Sequence, residues 1–186
     1  MEDISPLAVD IREMRLDDLD HVYCIETSAY SNPWPFQSFI DELTRNHWSR
    51  YIVAESEGQI RGYAGMWLIA GEAHITNIAV DYSFRRRMVG EQLLLRLIEI
   101  ALAEECFSMF LEVRRYNLPA QRLYSRYRFK PIRVREKYYQ DNLEDAIELR
   151  VEDTTSADFA DACRARRVAL AAALGKEDFY DDDSSC

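Results

Sequence analysis

Between Asn77 and Gly90 the sequence sets a loop, a basic run and a helix start in immediate succession. Asn77-Ile78-Ala79-Val80 reads as the end of a β-strand, and Asp81-Tyr82-Ser83-Phe84 as a short loop. Arg85-Arg86-Arg87 is the basic run, and Met88-Val89-Gly90 leads into a long helix. A loop of backbone amides feeding a helix N-terminus suits a pyrophosphate, because unpaired N–H groups point outward there and the helix dipole favours negative charge. Three guanidinium groups add cationic donors fitted to phosphate oxygens. Taken by itself this pattern also describes a solvated basic turn, so the surrounding elements have to decide between the two.

Those elements are legible from periodicity. Val9 to Arg15 alternates as a first strand, and Asp17-Asp18 stands where the N-cap and first turn of a helix containing Leu19, Val22, Tyr23 and Ile25-Glu26 would lie. Ser31-Asn32-Pro33-Trp34-Pro35 interrupts it, since two prolines in three residues cannot sit inside a helix. A second helix is expected from Phe36 to Arg45. Tyr51 to Ala54 and Ile60 to Ala70, separated by Glu57-Gly58, predict a hairpin, and His74 to Val80 a further strand. From Gly90 the period changes to that of a helix, with Leu93, Leu94, Leu97, Ile98, Ala101 and Leu102 on one face. Ser108 to Val113 predicts a strand and Leu118 to Arg126 a short helix. Phe129 to Lys137 and Asp145 to Val151 predict a last strand pair. The sum is one α/β domain of α+β type, with a mixed, mostly antiparallel sheet of about seven strands and about four helices. It spans residues 1–152. Residues 153–186 form a second segment: an alanine-rich helix from Ala157 to Leu174, then Lys176 to Cys186 with five acidic residues, expected to be a disordered end.

Composition removes several function classes. With 186 residues, 48% of them apolar, the chain can bury a core, and a net charge of −10 disfavours a nucleic-acid backbone as partner. Cys24, Cys106, Cys163 and Cys186, like His21, His47 and His74, are scattered, which argues against a disulfide framework and a metal site. No apolar run is long enough for a membrane span, and the acidic start lacks the form of a signal peptide. A cytoplasmic monomer without membrane or direct nucleic-acid contacts is the expectation.

The order Asn77-Ile78-Ala79-Val80, Phe84-Arg85-Arg86-Arg87, Gly90, Leu111-Glu112-Val113-Arg114, Asn117, Ala120, Leu123-Tyr124 and Phe129 resembles the GNAT superfamily of acetyltransferases. Within it the chain is most similar to the RimI-type branch, which acetylates the N-terminal alanine of a small-subunit ribosomal protein. Tyr138-Tyr139-Gln140-Asp141-Asn142, Ile25-Glu26 and Pro33-Trp34 extend that similarity. The resemblance implies the GNAT fold, acetyl-CoA as cosubstrate, no metal, and a protein N-terminus as acceptor. The alternatives it leaves are a lysine or small-amine acetyltransferase and a non-catalytic acetyl-CoA-binding or interaction module.

By position, the resemblance implies that backbone groups of Ile78, Ala79 and Val80 pair with the pantetheine arm. The segment from Arg85, Arg86 and Arg87 through Met88, Val89 and Gly90 to Glu91 would hold the pyrophosphate, and Asn117 the CoA arm. Glu112 falls on the branch's general base and Tyr124 on its general acid, beside the CoA sulfur. Trp34, Tyr138, Tyr139 and Glu26 would meet the incoming N-terminus. The residues alone leave other roles open: Glu112 could pair with Arg114, Tyr124 and Trp34 could be packing residues, Tyr138 and Tyr139 could cover the sheet end, Glu26 could serve its helix, and His74 reads as a strand residue without a catalytic task. Two positions depart from the family. Met88 replaces a loop glycine, a small matter if the helix start there is αR, and Arg128 replaces the glycine before Phe129, where a left-handed backbone would cost on the order of 1 kcal/mol.

Overall fold

The computed structural model describes residues 5–176; the expected disordered end from 177 onward lies outside them. In chain order the elements are β1 (Asp10–Glu13), α1 (Leu19–Ala29), α2 (Phe36–Thr44), β2 (Ser49–Ser56), β3 (Gln59–Ile69), β4 (Glu72–Val80), α3 (Val89–Ala103), β5 (Ser108–Arg114), α4 (Leu118–Arg126), β6 (Lys130–Tyr139), β7 (Glu144–Val151) and α5 (Ala157–Leu174). Short 3₁₀ turns at Leu16–Asp18 and Tyr82–Phe84 precede α1 and the arginine run. The seven strands form one sheet in the order β1-β2-β3-β4-β5-β7-β6, and every neighbouring pair is antiparallel except β4 with β5. No helix among the described residues is long and apolar enough to cross a membrane.

Alternation along the strands gives each face of the sheet its own core. One face is covered by α3, whose Leu93, Leu94, Leu97 and Ile98 are fully buried against Ala64, Met66, Ile75 and Leu111. The opposite face packs Tyr51, Val53 and Tyr63 against Val22 and Ile25 of α1 and Phe39 of α2. Asp18, expected to cap α1, does something else. Its carboxylate takes two N–H bonds of 2.8 Å from the Arg12 guanidinium and one of 2.7 Å from the Arg15 amide, fastening the end of β1 to the turn before the helix.

Two irregularities shape the middle of the sheet. β4 pairs with β5 only from Glu72 to Ile75, opposite Ser108 to Leu111; past that point β5 continues beside β7, and β4 beside β3. The two strands therefore part. At the same place β4 carries a bulge, because Ile75 lies opposite Met66 and Asn77 opposite Gly65, leaving Thr76 without a partner. The Tyr51 hydroxyl lies 3.3 Å from the Thr76 hydroxyl and 3.4 Å from Asn77 Oδ1, which ties the bulge to β2.

Gly65 makes that arrangement possible, since a Cβ there would overlap the buried Tyr51 ring. Gly65→Ala is expected to destabilise the fold by about 1–3 kcal/mol through overpacking, read as a lower midpoint in urea denaturation; an unchanged midpoint would show that the ring can move aside.

Candidate functional site

Where β4 and β5 part, the edge of β4 is open. The Ile78 carbonyl accepts a 3.0 Å bond from the Tyr30 hydroxyl and the Val80 carbonyl a 3.3 Å bond from Arg85 Nε, so both carbonyls face out of the sheet. Successive residues of a strand alternate in direction, which turns the polar groups of Ala79 toward its partner Tyr63 on β3. Of the three residues expected to pair with an extended arm, Ile78 and Val80 offer the backbone groups, and Ala79 contributes only to the wall.

The open edge forms one side of a groove of about 900 Å³. Arg85, Arg86, Met88, Gly90 and Glu91 line its far end, and Asn117 and Leu123 its other side. Asp81 accepts a 2.9 Å bond from the Ser83 amide and so shapes the loop, while the Arg85 guanidinium lies over the Tyr82 ring. Arg87 turns the other way, donating to the Ser5 carbonyl at 2.9 Å. Val89 is buried in the core and offers only its backbone. Met88 adopts φ 65°, ψ 5°, a left-handed conformation and not the αR start that would have made methionine cheap. Arg86 and Arg128 are left-handed as well, with φ of 62° and 63°. Each such non-glycine residue carries a cost on the order of 1 kcal/mol, which the surrounding contacts must offset. Asn117 is the N-cap of α4, its side-chain oxygen accepting from the Ala120 amide at 3.2 Å.

Tyr124 projects from α4 against Phe129. Its hydroxyl makes no hydrogen bond among the described residues, and burial pushes its pKa up to about 12. The hydroxyls of Tyr30 and Tyr139 lie within electrostatic reach of it, and Tyr139 is also within reach of Glu112. The Glu112 carboxylate, on β5, is clasped between His74 Nε2 at 2.7 Å and Arg135 at 3.1 Å. His74 in turn stacks on Phe110 with ring centroids 4.3 Å apart. The sequence-based alternative for Glu112, pairing with Arg114, is not what forms. Arg114 points to the hairpin between β6 and β7, where it meets Asp141 at 2.9 Å and Glu144 at 3.2 Å and lies 3.9 Å over the Tyr139 ring. The Ser31 hydroxyl bonds the Asp141 carboxylate, linking the loop after α1 to that hairpin. Tyr30 lines the groove, and His74 and Arg135 hold the Glu112 carboxylate; the sequence reading marked neither Tyr30 nor Arg135, and took His74 for a strand residue without a catalytic task.

Trp34 packs on Phe39 and Trp67. Its main-chain N–H donates to Glu26 Oε1 at 2.8 Å, and the Tyr63 hydroxyl occupies Glu26 Oε2. Glu26 is 1% exposed. It braces the Trp34 loop from inside the core, where it cannot present a free carboxylate to an incoming amine as anticipated.

The sequence model of the Acetyltransferase (GNAT) family matches residues 19–129. The chain belongs to the GNAT family. As a member it is an acetyltransferase. A Bacillus subtilis protein that provisionally carries the name of ribosomal protein bS18-alanine N-acetyltransferase is 42% identical over 137 residues, 74% of this chain and 91% of that one. The crystal structure of the ribosomal-protein-S18-alanine N-acetyltransferase of Escherichia coli superposes with a TM-score of 0.73 at 27% identity, covering 81% of this chain and 97% of its own. Arabidopsis thaliana NAA60, crystallised with acetyl-CoA, shares the fold at 16% identity with a TM-score of 0.69, over 77% of this chain and 98% of that one. The GNAT fold expected from the sequence is the fold observed, with α5 added after β7.

Burial raises the pKa of Glu26, against the two hydrogen bonds that lower it. A raised carboxyl pKa contributes stability that is fully present below the ordinary glutamate value and is lost as pH rises through the elevated one. Denaturation midpoints of wild type and Glu26→Gln measured from acid to neutral pH should therefore shift in favour of the variant as pH rises; a constant difference would show that the carboxyl titrates normally.

Proposed function

We propose that this protein transfers the acetyl group of acetyl-CoA to the N-terminal α-amino group of a protein, acting in the cytoplasm. The substrate class is that named for its relatives, a ribosomal protein beginning with alanine. The observation that carries the reading is the groove of about 900 Å³ that runs along the open edge of β4 to the arginine loop. The groove fits acetyl-CoA: outward backbone groups at Ile78 and Val80 suit an extended amide-bearing arm, and the arginine loop suits its phosphates. Bound there, acetyl-CoA supplies a thioester as acyl donor.

The protein has three tasks. An α-amine has a pKa near 8, so about a tenth is neutral at pH 7, whereas a lysine amine near 10.4 is neutral in well under one part in a thousand. The first task, taking a proton, falls to Glu112 through a water or through His74, whose ring nitrogen is already in contact with the carboxylate. The outward amides of Ile78 and Val80 are donors for the developing oxyanion. Tyr124, protonated at neutral pH, donates to the departing thiolate sulfur, and its hydroxyl has no competing partner among the described residues. Trp34, Tyr138 and Tyr139 stand on the amine side of the cleft, where Ser31 and Asp141 hold loop and hairpin together.

Mass spectrometry of a short Ala-first peptide, against the same peptide with a blocked N-terminus and a free lysine, tests the acceptor. Acetylation confined to the free terminus is expected; modification of the blocked peptide, or of neither, would overturn it. Tyr124→Phe and Glu112→Gln should each lower kcat by about a hundredfold. For Tyr124→Phe the KM for acetyl-CoA should barely change, and a raised KM with unaltered kcat would make the hydroxyl a binding group.

A further inference from the structure

The family match ends at residue 129, and α5 begins at Ala157. The helix is nonetheless well specified. Ser156 caps it, accepting from the Phe159 amide, and Gly175 ends it with a left-handed turn. Phe159, Ala162 and Leu170 form its buried stripe. Arg166 sits seven residues after Phe159 and four before Leu170, in the middle of that stripe, where an apolar residue is expected.

Arg166 reaches Glu91. Its Nε and Nη2 both donate to Glu91 Oε1, at 2.8 and 2.6 Å. Glu91 lies in the first turn of α3, is 5% exposed and is the one acidic residue lining the groove among the described residues. Arg126, on the same groove, approaches Glu91 Oε2 only to 3.4 Å, as does the Tyr127 hydroxyl to Oε1. A buried carboxylate at this end of α3 is favoured by the helix dipole, but it cancels the positive potential there and repels any phosphate held by the loop unless its charge is matched. The cation that matches it comes from α5.

We propose that α5 is a working part of the acetyl-CoA site: Arg166 is a positioning residue that neutralises Glu91 beneath the phosphate loop and leaves Arg126 available to the cofactor's phosphates. The inference rests on the reading of the groove given above. Removing Arg166 uncovers a negative charge beside the phosphates and draws Arg126 onto Glu91, so cofactor affinity falls while the acyl-transfer residues are untouched.

Calorimetric titration with CoA, accompanied by thermal melts, decides the matter on wild type, Arg166→Met, Glu91→Gln and the double variant; methionine keeps the packing of the arginine stem. Arg166→Met should bind CoA about tenfold more weakly, a loss of about 1.4 kcal/mol. It should show a raised KM for acetyl-CoA with kcat retained. The double variant should return to within about threefold of wild type, because the charge left uncovered is gone. Glu91→Gln alone should bind at least as tightly as wild type, which keeps the test decisive should Arg166→Met fail to fold. Wild-type affinity in Arg166→Met, an equally weak double variant, or weakened binding in Glu91→Gln would each overturn the proposal. Absence of CoA binding by the wild-type protein would instead remove the reading of the groove, and this inference with it.

Discussion

Every main-chain N–H and C=O removed from water needs a partner, and a sheet normally supplies both neighbours of a central strand. β4 is central, yet past Ile75 it has a neighbour on one side only. That local deficit is the condition on which the site depends. It exposes alternate peptide groups along the last residues of the strand and sets them between the end of β5 and the arginine loop. It also leaves room for α4, whose Ala120 and Leu123, with the capping Asn117, line the groove along with that edge. The bulge at Thr76, secured by the Tyr51 hydroxyl, sits where the pairing is lost.

Much of this was legible along the chain. The period of Leu93 to Leu102 marks α3, the boundaries of α4 and α5 coincide with those read from pattern, and the arginine run before Gly90 marks the basic end of the groove. What stayed hidden is what depends on partners distant in sequence. His74 and Glu112 are 38 residues apart and meet only because β4 and β5 are parallel in one register. Glu26 looks like any helical glutamate until Tyr63 and the Trp34 amide close over it. The outward and inward turns of Ile78, Ala79 and Val80 follow from which edge β3 occupies, and composition carries no trace of that. At Met88 the sequence left two backbones open, the positive φ that the family's glycine allows and the αR of a helix start. Residue type cannot choose between them, and the loop geometry takes the left-handed one.

The charge distribution explains how an acidic chain maintains a basic groove. Arginines away from the groove meet carboxylates at close range: Arg12 with Asp18, Arg114 with Asp141 and Glu144, Arg135 with Glu112 and Glu148, Arg150 with Glu72. Along the groove Arg85, Arg86, Arg122 and Arg126 share a wall. A net charge of −10 therefore says little about the potential inside the cleft, since in a low-dielectric recess the nearest groups dominate and distant ones are screened.

The bonds made by Tyr30 and Arg85 to the carbonyls of Ile78 and Val80 have a bearing on solubility. An unfilled strand edge is the usual template on which one folded molecule recruits a segment of another, the first step toward intermolecular sheet growth. Here the outward acceptors are plugged by a phenol and a guanidinium from the same chain, and the edge is recessed between two strands instead of standing at the sheet's rim. Side chains can withdraw for a ligand that carries its own donors, whereas a stray peptide must displace both at once.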